Sequence, residues 1–197
     1  MRAAPLRAAL AAAIALVAAV TLTACQGQEP VVRATERPAA FQPCPPSTAM
    51  HSAENLTHPL PDMTLRCATG TEQVELSRLG RPAVINLWAS WCAPCRKELP
   101  ELQRFADAAG SDLVVLGVVS GDTEDAAAAA ARDFGVSFPA VLDPQERLRR
   151  DLGLVGLPMT LFVDAQGQIS YVYHSGEPLT VSTLEDLSHQ HLGVVVS

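Results

Sequence analysis

A nearly unbroken apolar run, Ala83–Trp88, gives way within a few residues to Trp91, Cys92, Ala93, Pro94 and Cys95, and then to an amphipathic stretch. Such a run reads as a central strand covered on both faces, because a strand with one face in water alternates. Leu99, Leu102, Ala106 and Ala109 recur at helical spacing, and Gly110 is placed to stop the helix. The two cysteines therefore fall where a buried strand turns into a helix. Pro100 lies inside that helix, where it removes a hydrogen bond to residue 96 and predicts a kink.

Further along, the pattern repeats. Residues 113–119 form a second buried strand, and Asp122 is placed to cap a helix that runs through the alanines to about Phe134 and closes at Gly135. Strand, helix, strand, helix implies a parallel crossover unit. A short strand at 140–142 leads to Asp143, Pro144 and Glu146, which supply a cap, a first-turn proline and an acid three residues on, for a helix ending near Gly153. Residues 159–163 and 169–174 alternate about Asp164 and Gly167 as an antiparallel hairpin, so the sheet is mixed. Ser182 and Glu185 box a last helix. Upstream, 63–67 and 73–76 form a hairpin about Gly70. This is an α/β domain, a central mixed sheet flanked by helices.

Of the 197 residues, 48% are hydrophobic, enough for one full core. Arg2 and Arg7 precede an apolar run from Ala8 to Val20, shorter than the roughly 20 residues needed to cross a bilayer. Leu22, Thr23, Ala24 and Cys25 then resemble the bacterial lipobox, in which the cysteine is lipidated; an ordinary secretory signal with an incidental cysteine is the alternative. The reading is a lipoprotein signal peptide over 1–24, a Pro-rich tether over 25–59, with seven of the fifteen prolines between Pro30 and Pro61, and the folded domain over 60–197. Export to the outer face of the cell membrane, on the periplasmic or cell-wall side, puts the cysteines where disulfides persist. Loss of Arg2 and Arg7 leaves 12 Lys and Arg against 21 Asp and Glu, a net −9 that repels phosphate backbones and argues against nucleic acid.

Two cysteines three apart at a helix N-terminus can close a small disulfide ring, and the unpaired amides there stabilise a thiolate on the first. Cys92 is the expected nucleophile and Cys95 the resolving thiol. Pro94 fits a helix's first turn and stiffens the backbone between the sulfurs. Half of a zinc site is the weaker reading: four ligands are needed, Cys44 and Cys67 are isolated, and His51, His58, His174, His189 and His191 are scattered. An inert bridge would not need Trp91 and Pro94 around it.

Trp91–Cys95, followed by Lys97, Glu98, Leu99 and Pro100, preceded by Leu60, Pro61 and Asp62, and joined by Gly156, Leu157, Pro158, Met159 and Thr160, resembles the thioredoxin superfamily. More narrowly it resembles the exported TlpA/ResA-like branch, over roughly residues 60–192. The resemblance implies a thioredoxin-like three-layer fold with an N-terminal β-hairpin extension, and a thiol-disulfide oxidoreductase without a cofactor. Pro158 matches the cis-proline that faces the disulfide, with Trp91, Pro94 and Leu157 as substrate contacts. Glu98 matches an acid that assists proton transfer at the resolving thiol; an acid favoured by the helix dipole is the plainer reading. Asn86 stands where cytosolic thioredoxins carry a buried Asp.

Cys44 and Cys67 are then left to pair as a structural disulfide, contributing about 3 kcal/mol, with a regulatory thiol pair as the alternative. The implied partners are exported proteins with cysteine pairs, apocytochrome c among them, an upstream membrane thiol-disulfide donor, and the membrane through the lipid anchor. The direction of electron flow stays open between a reductant and a disulfide-forming oxidant. A peroxiredoxin would need a Pro-x-x-x-Thr-x-x-Cys setting, which is absent. From a different class, a copper-binding or redox-inert lipoprotein would use Cys92 and Cys95 as soft ligands.

Overall fold

The computed structural model describes residues 40–48, 56–174 and 176–196. Its elements are β1 (Thr64–Cys67), β2 (Gln73–Glu75), β3 (Ala83–Trp88), α1 (Ala93–Ala109), β4 (Val114–Ser120), α2 (Glu124–Asp133), β5 (Ala140–Asp143), α3 (Arg147–Asp151), β6 (Met159–Val163), β7 (Ile169–Tyr173) and α4 (Val181–Leu192). All seven strands join one sheet in the order β2-β1-β5-β4-β3-β6-β7. The three central strands β5, β4 and β3 are parallel, whereas β6 runs antiparallel to β3, β7 to β6, and β1 to both β5 and β2. Every residue of β3 and β4 is buried, which is why both read as unbroken apolar runs.

Helices α1, α2 and α4 cover one face, with Leu99, Leu102, Phe105, Ala127, Ala131 and Leu184 packed in a core shared with Val84, Trp88, Val119 and Phe162. On the other face Leu60, Met63, Leu76 and Leu148 close over Ile85, Leu87, Leu116 and Leu161. The result is the three-layer, thioredoxin-like arrangement. Gly117 makes room for a large neighbour: a Cβ there would lie 2.9 Å from the Trp88 indole nitrogen and 3.1 Å from Phe138.

The compact unit runs from Pro38 to Ser197, so it includes residues 40–48, which composition places in the tether. Phe41 is buried against Trp88 with ring centroids 6.4 Å apart, and its carbonyl accepts the Thr69 hydroxyl at 3.0 Å. Ser47 accepts the Glu75 amide at 2.8 Å, and the Thr48 amide donates to the Arg78 carbonyl at 2.9 Å. Cys44 and Cys67 are joined by a disulfide with Cα atoms 6.0 Å apart. The proline-rich composition hides this strap because its order comes from Phe41 and Cys44 rather than from periodicity. The signal segment and Cys25 lie outside the described residues.

Three helix starts differ from the sequence reading. Thr123, not Asp122, caps α2 by accepting the Ala126 amide at 3.3 Å. Asp143 does not begin α3; a turn through Pro144 and Gln145 intervenes, Glu146 takes a left-handed conformation at φ 55°, and the Asp143 carboxylate reaches the amides of Arg147 and Leu148 at 3.0 and 2.9 Å. Thr180 caps α4 through the Thr183 amide, where Ser182 was expected. Helix α1 continues through Pro100 to Ala109.

Candidate active site

Strand β3 ends at Trp88, and the chain turns at once: the Cys92 amide donates to the Ala89 carbonyl at 3.1 Å. Cys92 is the N-cap of α1, with extended backbone, and its Sγ accepts the Cys95 amide at 3.2 Å. The two cysteines are joined by a disulfide with Cα atoms 5.3 Å apart. Both cysteines are buried, Cys92 at 5% exposed slightly less so than Cys95 at 1%. Pro94 sits in the first helical turn, where its missing N–H costs nothing, and is itself exposed. Arg96 and Lys97 are exposed beside the pair, adding positive charge to the helix end.

A groove of about 380 Å³ runs beside the disulfide, lined by Pro94 and Glu98 from α1, by Leu157 and Pro158 from the loop before β6, and by His174 and Pro178 beyond β7. The Leu157–Pro158 peptide is cis. Two of the exposed large apolar residues lie near this site: Val155, 88% exposed, which lines the groove, and Trp91, 60% exposed, next to Cys92 in sequence. The Trp91 indole N–H is held by the Gly121 carbonyl at 3.1 Å.

Glu98 faces inward and is only 4% exposed. Burial pushes its carboxyl above the ordinary value of 4.5, and a hydrogen bond from the Leu179 amide, at 3.2 Å, opposes the rise. One turn along, Glu101 accepts the Val181 amide at 3.2 Å and pairs with Arg104, whose hydrogen bond holds the Glu101 carboxyl below its ordinary range. Two carboxylates of α1 thus fasten the start of α4. Buried Asn86 donates to the Thr160 hydroxyl at 2.9 Å across β3 and β6, so its polarity is satisfied within the sheet. The sequence reading missed Glu101, although its i+3 spacing from Glu98 was a signal for a shared helix face. It also missed the role of Asp122, whose carboxylate takes the Ser90 amide at 2.6 Å and the Thr123 amide at 2.8 Å. Among the described residues no group of three or more His, Cys, Asp or Glu is placed to hold a metal ion.

A thioredoxin-like sheet that presents a bonded Cys-x-x-Cys pair at a helix N-terminus defines a thiol-disulfide oxidoreductase. Comparison with known proteins agrees: the Redoxin family model matches residues 55–187, and the chain belongs to that family. It is 28% identical over 142 residues to sporulation thiol-disulfide oxidoreductase A of Bacillus subtilis, covering 70% of this chain and 85% of that one. It is 26% identical over 129 residues to thiol-disulfide oxidoreductase ResA of the same organism, covering 64% and 69%. Among solved structures, a secreted thiol-disulfide isomerase from Corynebacterium glutamicum aligns with a TM-score of 0.60 at 25% identity, covering 76% of this chain and 100% of that chain.

Proposed function

We propose that the protein is held at the outer face of a membrane by a lipid on Cys25 and reduces disulfides of exported proteins, apocytochrome c among them. The observation that carries disulfide exchange is the Cys92–Cys95 disulfide at the start of α1. In the reduced protein the Cys92 thiolate attacks a partner disulfide, one partner sulfur leaves as thiolate, and a mixed disulfide forms. Cys95 then attacks the Cys92 sulfur and releases the second partner thiol. Two electrons pass to the partner, the Cys92–Cys95 bond closes, and an upstream membrane dithiol reopens it. Glu98, buried three residues after Cys95, accepts the proton that Cys95 loses, while Trp91, Pro94, Leu157 and Pro158 hold an extended partner segment through apolar contact and the Leu157 backbone.

The opposite direction is the second reading, and one contact favours it: an amide on the Cys92 sulfur stabilises the thiolate, which makes the dithiol form easier to hold. The equilibrium potential of the pair decides. A value near that of thioredoxin supports the reductant, and one as high as that of strong periplasmic oxidants overturns it. Reduction of insulin disulfides should vanish in Cys92→Ser, and Cys95→Ser should trap partners as mixed disulfides. Activity that survives Cys92→Ser rejects the site. Among the described residues no helix is long and apolar enough to cross a membrane; anchoring rests on Cys25 and is tested by metabolic labelling with a fatty acid in wild type against Cys25→Ala.

A further inference from the structure

The loop that delivers Cys92 is tied at two consecutive residues to the loop that follows β4. The Ser90 amide donates to one Asp122 carboxylate oxygen at 2.6 Å, and the Trp91 indole donates to the Gly121 carbonyl at 3.1 Å. The second Asp122 oxygen is taken by the Thr123 amide at 2.8 Å, which fixes the carboxylate's orientation at the head of α2. Gly121 is itself fixed: its amide donates to the Asp143 carbonyl at 3.1 Å, and at φ 63° it leaves no space for a Cβ, which would lie 2.5 Å from a Glu146 carboxylate oxygen. Glu146 is held in turn by Arg149 at 2.5 Å. Hydrogen bonds thus tie Gly121 to β5 and to Trp91, and the adjoining Asp122 to the residue two before the nucleophile.

From this connection we infer that Asp122 is a positioning residue for thiol-disulfide exchange: by holding the Ser90 amide it sets the Ser90–Trp91 turn so that Cys92 caps α1 with its sulfur on the Cys95 amide. The inference rests on the reading of Cys92 as the nucleophile. Its physical basis is the contrast between charge and geometry. A carboxylate close to a thiol opposes its ionisation, so a role through charge alone would make Asp122 a brake on the thiolate. A role through geometry has the opposite sign. Without an acceptor for the Ser90 amide the turn relaxes, the Cys92 sulfur loses the Cys95 amide, and the thiolate loses its stabilisation. A charged-acceptor hydrogen bond is among the stronger ones available to a loop, so its removal is felt at the neighbouring cap.

The test uses the full reduced chain, wild type against Asp122→Ala and Asp122→Asn, with the pH dependence of iodoacetamide alkylation read by mass spectrometry on the peptide that contains Cys92. Asparagine keeps an oxygen for the Ser90 amide and removes the charge. The expected result is a midpoint shifted to higher pH in Asp122→Ala, none or a downward shift in Asp122→Asn, and a loss of about tenfold in insulin-reduction kcat/KM confined to the alanine variant. A midpoint that moves down in both variants, or stays put in both, overturns the positioning role; so does an equal upward shift in both. Should the alanine variant not fold, hydrogen exchange of the Ser90 amide in the wild type reads the same bond: protection supports it, and exchange at the rate of a free amide overturns it. Failure of the underlying reading is separate, since it would show in the wild type as an unshifted Cys92 midpoint and no insulin reduction.

Discussion

Glu98 must keep a carboxyl where little water reaches it, and the sign of the consequence follows from the direction of its shift. Raised above 4.5 by burial, it holds its proton in the folded state at pH values where the unfolded chain has already lost its own. Folding stability therefore falls as pH rises through that window, and the full cost stands above the folded-state value. Glutamine keeps the oxygen that accepts the Leu179 amide and has nothing to ionise. Urea titrations from about pH 4 to pH 7 should show Glu98→Gln gaining on the wild type as pH rises; two curves that stay parallel would show that burial does not hold the proton. The same substitution should slow insulin-disulfide turnover by about a hundredfold or more if Glu98 takes the Cys95 proton, within the range for a lost general acid or base. Unchanged turnover would leave the residue only its tie to Leu179. The spacing of Glu98 from Cys95 was legible in the sequence because both lie on one turn of one helix. Its partner was not, since Leu179 is 81 residues away and contributes only a backbone amide, which no side-chain pattern announces.

At the scale of elements, the strap over 40–48 and the helix α3 carry the predictions. The Cys44–Cys67 bridge closes a loop of 23 residues in sequence separation and holds Phe41 on Trp88. Replacing both cysteines with serine should cost about 3 kcal/mol in chemical denaturation, mostly by freeing the unfolded chain, while insulin reduction persists because neither residue touches the Cys92–Cys95 pair. Loss of activity in proportion to the loss of stability at a temperature where the variant is folded would instead make the strap part of the redox machinery. For α3, the fully buried Asp143 carboxylate satisfies two amides at the helix start, and Asp143→Ala should destabilise the fold by about 1 to 3 kcal/mol in the same assay. A change below about 0.5 kcal/mol would mean water takes over both amides. The central strands and α1 were legible because burial on both faces and a 3.6-residue period write themselves into composition. The helix starts were less so, because a Ser, Thr or Asp near a boundary has several amides within reach and only the backbone path selects among them.

Taken whole, the molecule couples its redox state to its stability, and this decides the direction of electron flow without a partner. If the folded chain favours the Cys92–Cys95 disulfide more than the unfolded chain does, the oxidised protein is the more stable form and the pair is reducing; the reverse ordering makes an oxidant. Two effects compete. The helix end and the Cys95 amide stabilise a Cys92 thiolate by about 0.3 to 2 kcal/mol. Against this, Cys92 is 5% exposed, and burial opposes the charged thiolate, so it limits how far ionisation can stabilise the reduced form. The proposed reductant role requires that the disulfide be the favoured form. Strand order adds a reason that sequence alone could not supply: β1 lies against β5, so Cys67 sits on the far side of β4 and β5 from the active pair and can be removed without touching it. In a Cys44→Ser, Cys67→Ser background, where a single bridge remains, the oxidised protein should therefore melt at a higher temperature than the reduced one. A reduced form that melts higher would show that thiolate stabilisation outweighs desolvation, and the reductant assignment would give way to the oxidant.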